Sequence, residues 1–157
     1  MTTPLHRASL LLTTAWVGSN WTVGYLVAPT LFKTLPDPVL AGTIAGHLFS
    51  VEAWFSVFCA LTLIGISLYQ RQKPSGLVLG MLVCVISGYF VLHPVMANLR
   101  DMGLSNQVQF RVLHGIASGI YLMQSILGAM LVITRLSVGS VKSEAEPDPA
   151  SVKSGTL

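Results

Sequence analysis

The chain has 157 residues, 52% hydrophobic and only 10% charged, with a formal net charge of +3. A soluble domain carries about 25% charged residues, so these proportions exclude one and point to a polytopic membrane protein forming one small bundle. The Lys and Arg residues are scattered, without interleaved aromatics, which excludes a nucleic-acid surface.

No charged residue occurs between Arg7 and Lys33, so the first apolar run, about 8–32, is read as a span. It exceeds a signal-peptide core and is followed by no small-x-small cleavage site, so this helix is expected to stay. Trp16, Asn20, Gly24 and Ala28 are spaced by four. That spacing predicts a ridge facing other helices, with small residues for close approach and Asn20 as a cross-helix hydrogen bonder. Pro29 predicts a kink near the exit.

The turn Lys33-Thr34-Leu35-Pro36-Asp37-Pro38 comes next, with Asp37 suited to an N-cap and Pro38 to a first helical position. The second helix is thus expected to begin near Pro38, ahead of its membrane part at about 47–69. A short basic loop at residues 70–76 leads to the third span, about 77–98, where Gly80, Cys84 and Gly88 again fall four apart. A polar loop, with Ser105 placed to cap the last helix, precedes the fourth span, about 108–134, which holds the GxxxG pair Gly115 and Gly119. Gly80, Gly88, Gly115 and Gly119 are read as helix-packing positions. Cys59 and Cys84 lie inside apolar runs and are read as packing residues.

Short loops predict an all-α, up-down-up-down four-helix transmembrane bundle over residues 1–135. Residues 136–157, rich in Ser, Pro and Glu and free of aromatics, read as a disordered tail. Arg7, Arg71, Lys73 and Arg135 fall at one end, against Lys33 and Arg100 at the other, with Arg111 nearby. That bias places both termini in the cytoplasm of a bacterial inner membrane.

Four ionisable residues, Glu52, His93, Arg111 and His114, are expected in the outer half of the membrane, where such groups face the bundle interior. Three readings stay open. Glu52 and Arg111 pair, with the histidines bonded to backbone or to hydroxyls such as Ser118; or His93 and His114 ligate a b-type haem or another metal; or the group forms a proton or substrate path. His47 is about 140° round the helix from Glu52 and reads as interfacial. Nucleotide loops, GxSxG elbows, HExxH and zinc-spaced cysteines do not occur. No catalytic residue is assigned, no cofactor is expected on the leading reading, and the metal question stays open. Lipid is the expected partner; homo-oligomers and protein partners are left open.

Trp16, Gly18, Ala28, Pro29, Leu31, Phe32, Gly42, Gly46, Leu48 and Phe49, with His93-Pro94 and Phe110 through His114-Gly115, resemble the pattern of the DUF4149 family, bacterial relatives of transmembrane protein 205. The resemblance covers about residues 8–135. It implies a four-span protein without established activity; the eukaryotic relatives' link with drug export implies export or membrane-stress support. The chain is more distantly similar to the four-helix units of copper-resistance D proteins and HemJ-type protoporphyrinogen oxidases, in which a membrane histidine carries haem. Such relatives often place a histidine near Trp16; here Asn20 stands there.

Overall fold

The computed structural model describes residues 4–104 and 108–144, with side chains described to residue 136. Every regular element among them is helical. The first helix comprises α1 (Pro4–Trp21), a π-helical segment (Thr22–Val27) and α2 (Ala28–Thr34). The second is α3 (Pro38–Tyr69). The third comprises α4 (Gly76–Val85), a second π segment (Ile86–Leu92) and α5 (His93–Asp101), and the fourth is α6 (Val108–Glu144).

The second, third and fourth helices are long and apolar enough to cross a membrane, and the first is not among these three. The first carries the most hydroxyls, several of which it satisfies within itself: Thr13 and Thr14 donate one turn back to the carbonyls of Ser9 and Leu10, and Thr22 to that of Gly18. In hydrocarbon a hydroxyl must find such a partner, and the preceding turn's carbonyl is nearest. Each helix packs on two neighbours in the ring first–second–third–fourth–first. The expected four-helix bundle is therefore present.

The ends follow the chemistry of the chain. Asp37 accepts a hydrogen bond from the Val39 amide at 2.9 Å with Pro38 at the helix start, so α3 begins ahead of the expected membrane entry at residue 47. The third helix closes with paired reverse bonds, Leu104 N–H to Leu99 C=O and Gly103 N–H to Arg100 C=O, with Gly103 at φ 71°. This glycine-capped turn satisfies the last carbonyls, and glycine occupies the left-handed region without steric cost. The backbone of α6 continues to Glu144, beyond the expected end of the fourth span at Thr134, so residues 136–144 of the expected disordered tail are helical. The expected Ser105 cap and the remainder of that tail, from residue 145 onward, lie outside the described residues.

Both π segments have one cause. Pro29 and Pro94 each sit second in the helix after a π segment, where proline offers no N–H and its ring presses on the carbonyl four residues back. Widening the preceding turn relieves that clash. The Ala28 amide bonds to Val23 C=O and the His93 amide to Gly88 C=O, both five residues back. The first and third helices run in the same direction, so both bends lie toward one end of the bundle.

That end differs from the other. The continuous core sits away from the prolines, formed by Trp16, Val17, Cys59, Ala60, Leu63, Val78, Met81 and Leu131. Small residues allow its close approach: a Cβ on Gly128 would stand 3.1 Å from Val17, and one on Gly80 3.2 Å from Leu127.

Candidate functional site

At the proline end the four helices enclose a cavity of about 790 Å³. The first helix packs on the fourth through α1, whereas α2, past its π segment, packs on the second helix. The first and fourth helices thus part toward this end. Ala28, Pro29 and Phe32 line one side of the gap, with Phe110, His114 and Ala117 opposite.

The closed end is polar and cross-linked. Glu52 lines the cavity and is buried. Its Oε1 accepts from Ser56 Oγ at 3.2 Å and lies 3.3 Å from Ser19 Oγ, whose single proton is shared with the Trp16 carbonyl. Trp16, wholly buried, donates its indole N–H to Ser56 Oγ at 2.7 Å. That donation fixes Ser56 as an acceptor on one side and directs its proton to Glu52. Glu52 Oε2 takes no hydrogen bond from a described residue and is not among the buried unpartnered atoms, so it faces the cavity. A buried carboxyl held by hydroxyls on one oxygen and free on the other can bind a cationic or donor group, or exchange a proton.

Tyr121 closes the floor beside it. Its hydroxyl donates to the Asn20 carbonyl, and its ring meets Phe49 and Tyr25 edge-on at centroid distances of 5.4 and 6.2 Å. Tyr25 donates to Ser125 Oγ at 3.0 Å, a second tie between the first and fourth helices. Gly24 is required here, because a Cβ would run into the Tyr121 ring. Asn20 is buried with neither side-chain oxygen nor nitrogen hydrogen-bonded, so the expected bond from its side chain across the bundle is not formed; only its backbone carbonyl is used.

The open end is cationic. Arg100 and His93, from the third helix, meet over Gly42 and Gly46 of the second. Arg100 Nη1 donates to the Gly42 carbonyl at 3.1 Å. His93 stacks at a tilt on Tyr89, 5.1 Å between centroids.

The structure brings Glu52, His93 and His114 to one cavity, at different depths, and leaves Arg111 out of it. Arg111 is exposed and does not pair with Glu52. The cavity stripe of the fourth helix runs through Phe110, His114, Ala117 and Tyr121, and Arg111 is about 100° round from Phe110. Ser118 donates to the His114 backbone carbonyl rather than to its imidazole; that ring stacks on Phe110 with a centroid distance of 6.4 Å. His47 is exposed and does not line the cavity. Among the described residues no three His, Cys, Asp or Glu side chains gather as a metal-ion group.

The packing positions divide. Trp16 and Asn20 are buried, Gly24 is filled by Tyr121, and Ala28 lines the cavity. Gly80 lies against Leu127, and Gly88, which lines the cavity, has Ile120 at 3.9 Å from a would-be Cβ. A Cβ on Gly115 or Gly119 would meet nothing within 4 Å, so the GxxxG pair seats no neighbour among the described residues. Sequence reasoning passed over Ser19, Ser56, Tyr121 and Arg100. For Arg100 the signal was an arginine just past the expected end of the third span at residue 98; that it meets Gly42 and Gly46 was not readable.

No curated protein and no solved structure matches the chain. A family model described as a domain of unknown function, DUF4149, matches residues 11–105. That match spans three of the four helices, including both proline-bent ones, and with three helices apolar enough to span a membrane it places the chain in the DUF4149 family as a multi-pass integral membrane protein.

Proposed function

We propose that the protein is a non-enzymatic carrier that takes a small amphipathic molecule from the membrane into the cavity and passes it onward, in an export or membrane-protective role. The observation that supports this reading is the cavity itself: about 790 Å³, within the usual size for small-molecule sites, part-open between the first and fourth helices, with the Glu52 carboxyl at its closed end. Apolar and aromatic walls with a few polar groups are what a ligand dissolved in lipid requires. On this reading Glu52 is the group that the ligand or a proton must engage to move on. The Lys and Arg bias supports an inner-membrane orientation with both termini cytoplasmic.

Proteoliposomes test it. Movement of radiolabelled dodecyl phosphate and dodecyltrimethylammonium across the bilayer is measured, since both heads stay charged and cross slowly unaided. The protein is expected to accelerate one of them. Glu52→Gln is expected to abolish that acceleration with thermal unfolding unchanged. Flux that survives the substitution removes Glu52 from the path, and no acceleration of either probe contradicts the carrier reading.

One observation favours a second reading. His93 and His114, on neighbouring helices, line the same cavity, and imidazole is an axial ligand type for b-type haem. A Soret band lost in folded His93→Ala or His114→Ala protein supports it. Colourless protein purified from haem-replete cells counts against it.

A further inference from the structure

Resting on the reading that the cavity takes a ligand, we propose that its open end is an anion site, and that the ligand is an acyl-chain amphipath with one anionic head. The head sits on Arg100 and His93, and the chain runs inward toward Glu52.

Four observations converge. First, Arg100 is unspent. A guanidinium presents five N–H donors, and Arg100 uses Nη1 on the Gly42 carbonyl while pairing with no carboxylate among the described residues. Second, two donor side chains are brought together at the cavity wall. The point where a Gly46 Cβ would stand is 3.4 Å from His93 Nε2 and 3.6 Å from Arg100 Nη1, and that for Gly42 is 3.8 Å from Arg100 Cζ. Two glycines one turn apart thus leave the second helix bare where two nitrogen-bearing side chains meet. A planar, forked donor beside an imidazole matches a carboxylate or phosphate, and arginine binds such groups in bidentate fashion.

Third, the depth is right. Arg100 is the penultimate residue of the third helix, at the level of an interface. Glu52 lies ten residues beyond Gly42 along α3, about 15 Å deeper at the helical rise. Between these levels the walls include Phe49, Tyr89, Met96 and Phe110. A molecule held this way keeps its head at headgroup level and its chain along the bundle axis, the orientation of a lipid in one leaflet. Fourth, the polar groups are ordered. The guanidinium stands at the open end and the Glu52 carboxyl at the closed end, so the open end offers an anionic head its cationic partner.

Equilibrium binding to the full-length protein in phosphatidylcholine nanodiscs tests this with three probes of one chain length: dodecyl phosphate, dodecanol and dodecyltrimethylammonium. Dodecyl phosphate is expected to bind about tenfold more tightly than the other two. Arg100→Gln is expected to cost about tenfold or more of that affinity, as the loss of a charge-assisted bond does. Arg100→Lys keeps the charge but loses the fork and is expected to recover only part of it, and Arg111→Gln, which removes a cation outside the cavity lining, leaves it within about twofold. Gly46→Leu, whose side chain would displace Arg100 and His93 from the second helix while keeping the charge, is expected to abolish the preference, with unfolding monitored in every variant. Equal binding of all three probes overturns the anion site and leaves the cavity reading standing. Binding of none above bare nanodiscs overturns both. Raising the phosphatidylglycerol content identifies the source: Arg100-dependent displacement of the probe shows that a membrane lipid's phosphate fills the site, and no displacement shows a free single-chain amphipath. Displacement that persists in Arg100→Gln overturns the assignment.

Discussion

The two halves of the bundle use the same four helices and end in different states. In one, Trp16, Leu63, Val78, Met81 and Leu131 fill the interior, and glycines at 80 and 128 let neighbours close to van der Waals contact. In the other, the helices pass Pro29 and Pro94, widen into π turns, and leave a cavity of about 790 Å³. The difference teaches where function can be placed in a small membrane protein. The packed half supplies rigidity; Ser9 and Thr13 there bond to carbonyls one turn back, and the Trp16 indole crosses to Ser56. The open half carries the groups that lipid tolerates only when they face a cavity or a partner. The seam between them is the chain Trp16–Ser56–Glu52, in which a core indole orients a cavity carboxyl through one hydroxyl.

Substitutions in detergent-solubilised protein can break or sharpen this contrast. Trp16→Ala empties the core and removes the Ser56 contact, and is expected to cost about 3–5 kcal/mol of unfolding free energy. Phe32→Ala, at the mouth of the cavity, should cost under about 1 kcal/mol; equal losses would erase the distinction between the halves. Gly24→Leu drives a side chain into the Tyr121 ring and should cost about 1–3 kcal/mol. A neutral result would mean that Tyr121 does not plug the floor. Ser56→Ala leaves the buried Trp16 indole N–H without an acceptor, a loss of about 1–3 kcal/mol, and thermal unfolding measures it. The smallest effect has the opposite sign. Gly119→Ala meets nothing within 4 Å and should stabilise the protein by up to about 1 kcal/mol through helix propensity. A loss there, together with a shift in oligomer mass, would show that the GxxxG pair serves a second copy of the chain.

The architecture was legible because hydrocarbon imposes it: charge-free runs, short polar loops and the Asp37-Pro38 start all read directly. The ridge of Trp16, Asn20 and Gly24 was legible for the same reason, being contained in ordinary helix or just past its end. A π turn adds a residue to the period, and the third helix accordingly presents Gly88 and, five residues on, His93 to the same cavity. The expected Glu52–Arg111 pair matched depth and overlooked face. The hydroxyl partners of Glu52 were illegible for another reason: Ser19 and Ser56 look like any small residues of a spanning helix until the tertiary contact selects them. Gly42 and Gly46 appeared only as family marks, and their use, to bare a helix beneath Arg100, depends on a neighbour that sequence spacing does not reveal.

The two native cysteines sit on either side of the divide. Cys84 lines the cavity, and Cys59 belongs to the packed core. Modification of the unaltered protein by methyl methanethiosulfonate, followed by mass spectrometry of each site over time, compares the halves without any substitution. Both thiols are buried, Cys84 at 3% and Cys59 at 0% exposure, but only Cys84 borders the cavity, so it is expected to react faster than Cys59. Equal rates or a faster Cys59 would contradict a bundle that is closed at one end and open at the other.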